Sequence, residues 1–507
     1  MIKGRYRSFK QLAQGYAALF QGGTPCLKKA GKKSRKRLTA ISITETGVNK
    51  KGIFKGIFPF LHFFIWPLVS NERKLTLMEP NQNYRFETLA VHAGYTPEPT
   101  THSQTVPIYL TNAYTFDSTA HAASLFELKE AGNIYSRLQN PTCTALEDRM
   151  AALDGGVGAL SFASGHAAIF NTIVNLANQG DEIVSSICIY GGAINMLGVT
   201  FDRLGIKVRF VNPDDLAAWE DAINEKTKAL FVEAIGNPNA NVADISALAG
   251  LAHSHGIPLI VDSTFTTPYL VQPIKFGADI VIHSATKFLG GQGNVMAGIV
   301  VDSGNFAYYG NEKFPLYNEP DPSYHGVVFG KDYGNAGFIT RLRALVMRDL
   351  GACLSPFNAF LILNGLETLA LRMRRHCDNA LKVAQYLEGN PHVEEVHYPG
   401  LESNPYHALQ QKYMPNGAGS VFTFSLKGGR DAGAKLIDNV KLIFHVANVG
   451  DTRTLIIHPA TTTHSQLTDE QLKSSGITPG TIRLSIGIED PDDIIADLDA
   501  AIRIACE

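Results

Sequence analysis

Five short runs rich in Val and Ile recur along the middle of the chain: "DEIVSS" at 181–186, "KVRFV" at 207–211, "TKALFVEA" at 227–234, "PLIVDS" at 258–263 and "ADIVIHS" at 278–284. Helical segments separate most of them, "ISALAGLAHSHG" at 245–256 among them. Upstream, "GALSFAS" reads as a further strand that ends in "SGHAAIFNTIVNLA", a helix entered through Ser164 and Gly165. Apolar runs alternating with helices predict an α/β fold with a mostly parallel sheet covered on both faces. Ligands in such sheets bind beyond the carboxyl ends of the strands.

The length, 507 residues, exceeds what one small core organises. Residues 79–140, rich in Thr, Asn, Pro and Tyr with little periodicity, read as an extended N-terminal arm or a long surface loop. From 141 "TCTALEDRMAALDG" is helical, with Leu146, Met150 and Leu153 on one stripe. Residues 141–340 are expected to form the large domain. Residues 341–507 are expected to form a smaller C-terminal α/β domain with its connecting helix. There "NAFLILNGLETLALRMRRHCDNALKVAQYLEG" carries one long helical pattern, and "SVFTFSLKG", "LIFHVANV", "TLIIHPA" and "TIRLSIGIE" read as strands of an expected antiparallel sheet. The closing "PDDIIADLDAAIRIA" is an amphipathic helix.

Charge is unevenly spread. Residues 1–78 hold 16 Lys or Arg against two Glu, an excess of 14 positive charges, so a net charge of −2 leaves the remainder near −16. An acidic body argues against nucleic acid as the partner. The run "IFPFLHFFIWPLV" is shorter than the ~20 residues a membrane span needs and contains two prolines. An interfacial anchor and a cleaved targeting segment stay open, but the simplest expectation for 1–78 is a disordered or spurious extension, with no membrane partner. Six scattered cysteines without a CxxC pair point to a reducing, cytoplasmic setting.

Three strand ends carry complementary polar groups. Asp262 closes "PLIVD"; Ser284, Thr286 and Lys287 follow "ADIVIH"; Ser164, Gly165 and His166 follow "GALSF". A glycine at a helix start offers amide donors to an anion. A lysine at the end of an apolar run costs desolvation unless it is paired or chemically used. No Walker loop, GxGxxG fingerprint or familiar metal-ligand spacing occurs, so neither a nucleotide nor a metal is expected. A cofactor with an aldehyde, a protonatable ring nitrogen and a phosphate would use all three sets, and pyridoxal 5'-phosphate has them.

The separated blocks "ETLAVHAGY", "QTVPIYLTNAYTF", "YSRLQNPT", "FASGHAAI", "YGG", "EAIGNPN", "VDSTFTTP", "HSATKFLGG", "SPFNAFLILNGLETLALRM", "LIIHPATTTHSQ" and "RLSIGIED" carry a family resemblance. Over about residues 84–505 the chain resembles the pyridoxal-phosphate enzymes of cysteine and methionine metabolism, and within them the O-acetylhomoserine sulfhydrylases. The resemblance implies the fold type I, aspartate aminotransferase-like transferase architecture and an assembly built as a dimer of dimers.

Residue roles follow by motif. Lys287 resembles the lysine that links to the cofactor aldehyde, and Asp262 the partner of the ring nitrogen. Gly165, His166, Ser284 and Thr286 match the phosphate seat, Tyr190 the stacking tyrosine and Asn237 the neighbour of the ring hydroxyl. Tyr135 and Arg137 match groups that reach the phosphate of a neighbouring subunit. Arg483 matches the arginine that grips the substrate α-carboxylate. For His166, where related lyases often carry methionine, only the backbone is expected to matter. The implied reaction replaces the acetate of O-acetyl-L-homoserine by sulfide, with Lys287 and Tyr190 moving protons; methanethiol is a further acceptor. Cystathionine γ-synthase, a methionine γ-lyase type enzyme and a non-catalytic scaffold are the alternatives. His458 and His464 are expected near the pocket entrance, His253 and His255 on a solvent-facing side, and Cys188 as an apolar filler.

Overall fold

The residues around Asn140 show how local chemistry sets the elements. In the computed structural model, which describes residues 84–462 and 477–507, the Asn140 side chain accepts the Thr142 N–H at 3.0 Å and Pro141 opens helix α1, Pro141–Asp154. Proline suits that place because its missing N–H would have no partner there. Gly155, at φ 81°, ends the helix in the left-handed conformation that costs glycine little. Leu146, Met150 and Leu153 lie on the predicted stripe and are fully buried. Residues 1–78 and His464, for which the sequence carries expectations, lie outside the described residues.

Seven strands form the large sheet: β1 Gly158–Phe162, β2 Glu182–Ser186, β3 Lys207–Val211, β4 Thr227–Glu233, β5 Leu259–Asp262, β6 Ile280–His283 and β7 Gly298–Asp302. Their order is β1-β7-β6-β5-β4-β2-β3. Every pairing is parallel except those of β7, which runs antiparallel to β1 and β6. The alternation of apolar runs does not mark β7. Its approach from β6, residues 284–297, is a series of turns rather than a helix, and a parallel return ordinarily needs a helical crossover. Helices α2, Gly165–Leu176, α3, Gly191–Asn195, and α4, Ile245–Ser254, follow β1, β2 and β4. Strands β2 and β4 to β7 are buried throughout, which is why they lack polar alternation. Each fully buried Val or Ile contributes ~1.5–3 kcal/mol relative to exposure.

The predicted long helix at 358–389 is two: α5, Pro356–Glu367, and α6, Leu369–Glu388, broken at Thr368. The second sheet comprises β8 Val393–His397, β9 Val421–Leu426, β10 Phe444–His445, β11 Leu455–Ile457 and β12 Thr481–Ser485, in the order β10-β11-β12-β9-β8. It is antiparallel, as expected, apart from the short parallel pair β10–β11. Helix α7, Pro491–Cys506, closes the chain, capped by Asp490. The α6 residue Arg372 donates to Phe288 O and Gly365 O, both at 2.7 Å. It thereby pins the turn just after Lys287 to the helix pair. Among the described residues no helix is long and apolar enough to cross a membrane.

Candidate active site

The carboxyl ends of β1, β2, β4, β5 and β6 open into one cavity of about 220 Å³. Its wall includes Ser164, Gly165, His166, Tyr190, Asn237, Asp262, Ser284, Thr286 and Lys287, together with Asn448 and Arg483 from the second sheet and the loop before β11. Eight of the ten cofactor-binding candidates therefore meet, and the substrate candidate Arg483 meets them.

Helix α2 supplies an anion seat. Ser164 accepts the Ala167 N–H through its hydroxyl at 3.1 Å and the Ala168 N–H through its carbonyl at 3.0 Å. The Gly165 and His166 amides are the donors α2 itself does not use. A Cβ at position 165 would stand 2.7 Å from Ser284 Cβ and 2.9 Å from its Oγ, so only glycine brings helix and Ser284 together. The Ser284 amide donates to Thr264 Oγ1 at 2.8 Å. The Thr286 hydroxyl lines the cavity but also exchanges hydrogen bonds with the Ala297 backbone, which braces the turn carrying Lys287.

At the cavity floor Asp262 accepts the Thr264 N–H at 2.9 Å. Burial raises its pKa. Lys287 Nζ donates to Asn448 Oδ1 at 2.5 Å. Burial first, and then the Arg483 charge, lower its pKa to about 8. Arg483 Nη1 donates to Asn237 Oδ1 at 3.2 Å, its Nη2 makes a long contact of 3.5 Å with Asn448 O, and its buried Nε has no hydrogen-bond partner among the described residues. Burial lowers the Arg483 pKa to about 10; no carboxylate pairs with it among the described residues. The peptide bond Asn237–Pro238 is cis.

The Tyr190 ring is half exposed and meets the His166 ring edge-on, centroids 5.5 Å apart. His166 thus contributes more than its backbone. A Cβ at Gly192 would come within 2.6 Å of the Tyr190 ring and 3.0 Å of His166 Nε2, so the glycine of "YGG" leaves room for that contact. The orphaned donors at the α2 start, the buried carboxyl at the floor, the low-pKa amine and the ring above them fit pyridoxal phosphate.

Tyr135 and Arg137 do not line this cavity. Tyr135 is 40 % exposed; the Arg137 guanidinium lies 5.4 Å over its ring and donates to Arg348 O. His458 is not part of the cavity wall: it is buried, its ring between Thr461 Oγ1 at 3.0 Å and Pro479 O at 2.8 Å. His253 and His255 lie at the surface end of α4 and its cap, paired with Asp279 and Glu220. Burial raises the Cys188 thiol pKa to about 11, in keeping with an inert filler. Sequence reasoning missed Asn448 and Glu233. Glu233 had a signal, a carboxylate closing an apolar strand as Asp262 does; Asn448, in a loop, had none.

The family model for Cys/Met metabolism PLP-dependent enzymes matches residues 87–503. An O-acetyl-L-homoserine sulfhydrylase from Thermus thermophilus is 51 % identical over 423 residues, covering 82 % of this chain and all of the relative. A homocysteine synthase from Schizosaccharomyces pombe is 50 % identical over 428 residues, covering 84 % of this chain and all of the relative. Among solved structures, one from Campylobacter jejuni, assigned as an O-acetylhomoserine (thiol)-lyase, superposes with a TM-score of 0.80 at 43 % identity. It covers 83 % of this chain and all of its own, and it contains a pyridoxyl-lysine phosphate group.

Proposed function

The chain belongs to the Cys/Met metabolism PLP-dependent enzymes, and on that premise we propose that it performs γ-replacement on O-acetyl-L-homoserine. The C–O bond to acetate breaks at Cγ, a C–S bond to sulfide forms, and L-homocysteine and acetate leave. The observation that carries this reading is Arg483, a guanidinium without a carboxylate partner among the described residues, facing the same cavity as Lys287. A desolvated cation calls for an anion from outside the chain, and the α-carboxylate of an amino acid is one that its planar fork grips in two places.

Bound in this cavity, pyridoxal phosphate supplies an aldehyde that an amine can take and a protonated ring that withdraws electrons from the substrate α-carbon. Gly165, His166, Ser284 and Thr286 hold its phosphate, Asn237 its ring hydroxyl, and Asp262 the proton on its ring nitrogen. Tyr190 covers the ring face. Lys287 Nζ takes the α-proton once released from covalent duty; a pKa near 8 leaves part of it neutral at physiological pH, as a base requires. Tyr190 stands where it assists proton transfer and departure of acetate.

The arm 79–140 reaches a neighbouring subunit in this reading, so that Tyr135 and Arg137 serve the partner's cofactor. Their absence from the wall of their own cavity and the exposure of Tyr135 support it. The large domain is then 141–340, the C-terminal domain 341–507, and the assembly a dimer of dimers in the cytoplasm. The test compares sulfide, methanethiol and cysteine as acceptors with O-acetyl- and O-succinyl-homoserine. Highest turnover is expected with sulfide and the acetyl ester. Preference for cysteine would replace the reading with a γ-synthase, and release of a keto acid without thiol would replace it with a lyase.

A further inference from the structure

Glu233 ends β4 directly beside Asp262 at the end of β5; the two are register partners across parallel strands. Side chains of such partners share a face of the sheet, and both line the cavity. Glu233 is as buried as Asp262, with 8 % of its surface exposed. Its Oε1 accepts the backbone N–H of Tyr190 at 2.7 Å. That amide precedes α3, "GGAIN", the first turn of a helical run that continues to Arg203. No cation pairs with Glu233 among the described residues.

We propose that Glu233 is a positioning residue for Tyr190: its carboxyl grips the Tyr190 amide and so fixes the aromatic ring over the cavity. The inference rests on the cofactor reading of the cavity, yet the contact belongs to the chain alone. The Tyr190 carbonyl accepts the Ala193 and Ile194 N–H groups, which holds its backbone to the following helix, while its ring stays half exposed. The Oε1 contact adds a direct tie from the Tyr190 amide to the end of β4.

Glu233 does this as a neutral acid. Two buried carboxylates side by side do not both ionise without a cation between them. The groups facing the pair are His166 from α2, His283 from β6, Cys188 and Tyr190 ahead of α3, Lys287 from the turn after β6, and Arg483 from β12. Asp262 has the Thr264 donors and nearby imidazoles in its favour, whereas burial and Asp262 raise the Glu233 pKa well above the ordinary range against a single amide donor. The one negative charge of the pair then rests on Asp262.

The experiment compares wild type, Glu233→Gln, Glu233→Asp and Glu233→Ala. Amide hydrogen exchange of the 187–194 segment is read in the cofactor-free protein, and the pH midpoint of the visible absorption in the holoenzyme. Ala and Asp are expected to speed exchange at Tyr190 about fivefold, the effect of losing ~1 kcal/mol of hydrogen bond. Gln is expected to restore protection and leave the pH midpoint in place. Unchanged exchange in the Ala and Asp variants would overturn the grip. A midpoint displaced by a full unit in Glu233→Gln would show that Glu233 carries a charge. If Glu233→Ala does not fold, the Asp and Gln variants carry the same comparison. Failure of the cofactor reading shows separately, as a wild type with no visible absorption.

Discussion

Lys287 Nζ and Asn448 Oδ1 meet at 2.5 Å across 161 residues of sequence. The contact joins the turn after β6 to the loop between β10 and β11, and so ties the amine to the sheet that carries Arg483. Asn448 also offers its carbonyl oxygen toward Arg483 Nη2. Replacing Asn448 by Ala leaves the amine without its acceptor and free to take other rotamers. We expect kcat to fall about tenfold, the loss of a hydrogen bond to a charged group, with KM moving less. Asn448→Asp is expected to place a negative charge against the amine and raise its pKa, displacing the rise of activity to higher pH. Identical pH profiles in wild type and Asn448→Asp would refute this coupling.

The lowered pKa of Lys287 fixes a direction for cofactor uptake. Burial and the Arg483 charge disfavour the ammonium, so the nucleophilic amine becomes the major form above about pH 8 rather than above the ordinary 10.5. The rate at which the cofactor-free protein develops visible absorption is expected to rise with pH and level off beyond that point. Lys287→Ala is expected to show no lysine-linked absorption at any pH. Retention of that band with normal turnover would defeat the assignment.

Arg483 gives a binding prediction. Arg483→Ala removes two charge-assisted hydrogen bonds to a carboxylate, each worth ~1.5–3 kcal/mol. The expected outcome is a KM for O-acetyl-L-homoserine raised at least a hundredfold, with cofactor absorption retained. Lys at 483 keeps the charge but lacks the planar fork, and is expected to recover only part of the loss. Steady-state kinetics with an excess of sulfide separates the two.

Gly165 tests the phosphate seat. A methyl group there would overlap Ser284, so Gly165→Ala must push α2 and Ser284 apart. Weaker cofactor retention on dialysis is expected, with far-UV circular dichroism unchanged. Undiminished retention would place the anion elsewhere.

A stability prediction comes from beneath the sheet. His283 Nε2 and Asp154 Oδ2 lie 2.9 Å apart, both fully buried. Burial opposes a charge on His283, but Asp154, Asp262 and the Ser263 backbone together outweigh it and lift the imidazole pKa above its ordinary 6.5. Stability from this pair is therefore full below about pH 6.5 and fades as pH rises through the raised value. Exchanging His283 for Gln is expected to cost ~3–5 kcal/mol at pH 6, where it leaves a buried carboxylate unpaired, and less at pH 9. Urea titrations at the two pH values measure the difference.

Much of the scaffold was legible because its rules are local. Asn140, Pro141 and Gly155 bound α1 through chemistry within a residue or two of the helix end. Continuous burial of β2, β4, β5 and β6 appears directly as Val and Ile without polar alternation. Once those strands are parallel, their ends must share an edge, and Asp262, Ser284 and Lys287 follow. Thr368 was not legible as a helix break: the apolar pattern continues across it, and its side chain instead meets Gly365 and Arg372.

The sequence by itself determined the strands and helices, the edge on which the polar groups gather, and, through its motif blocks, the cofactor class. Tertiary structure alone decided which distant groups tune them: Asn448 on Lys287, Glu233 on Tyr190 and Asp154 on His283, at separations of 161, 43 and 129 residues. It also set the His458 ring between Thr461 and Pro479. The reason is physical. Burial, hydrogen-bond reach and field strength depend on through-space distances of a few ångströms, and such distances exist only after strands, helices and loops far apart in sequence have packed.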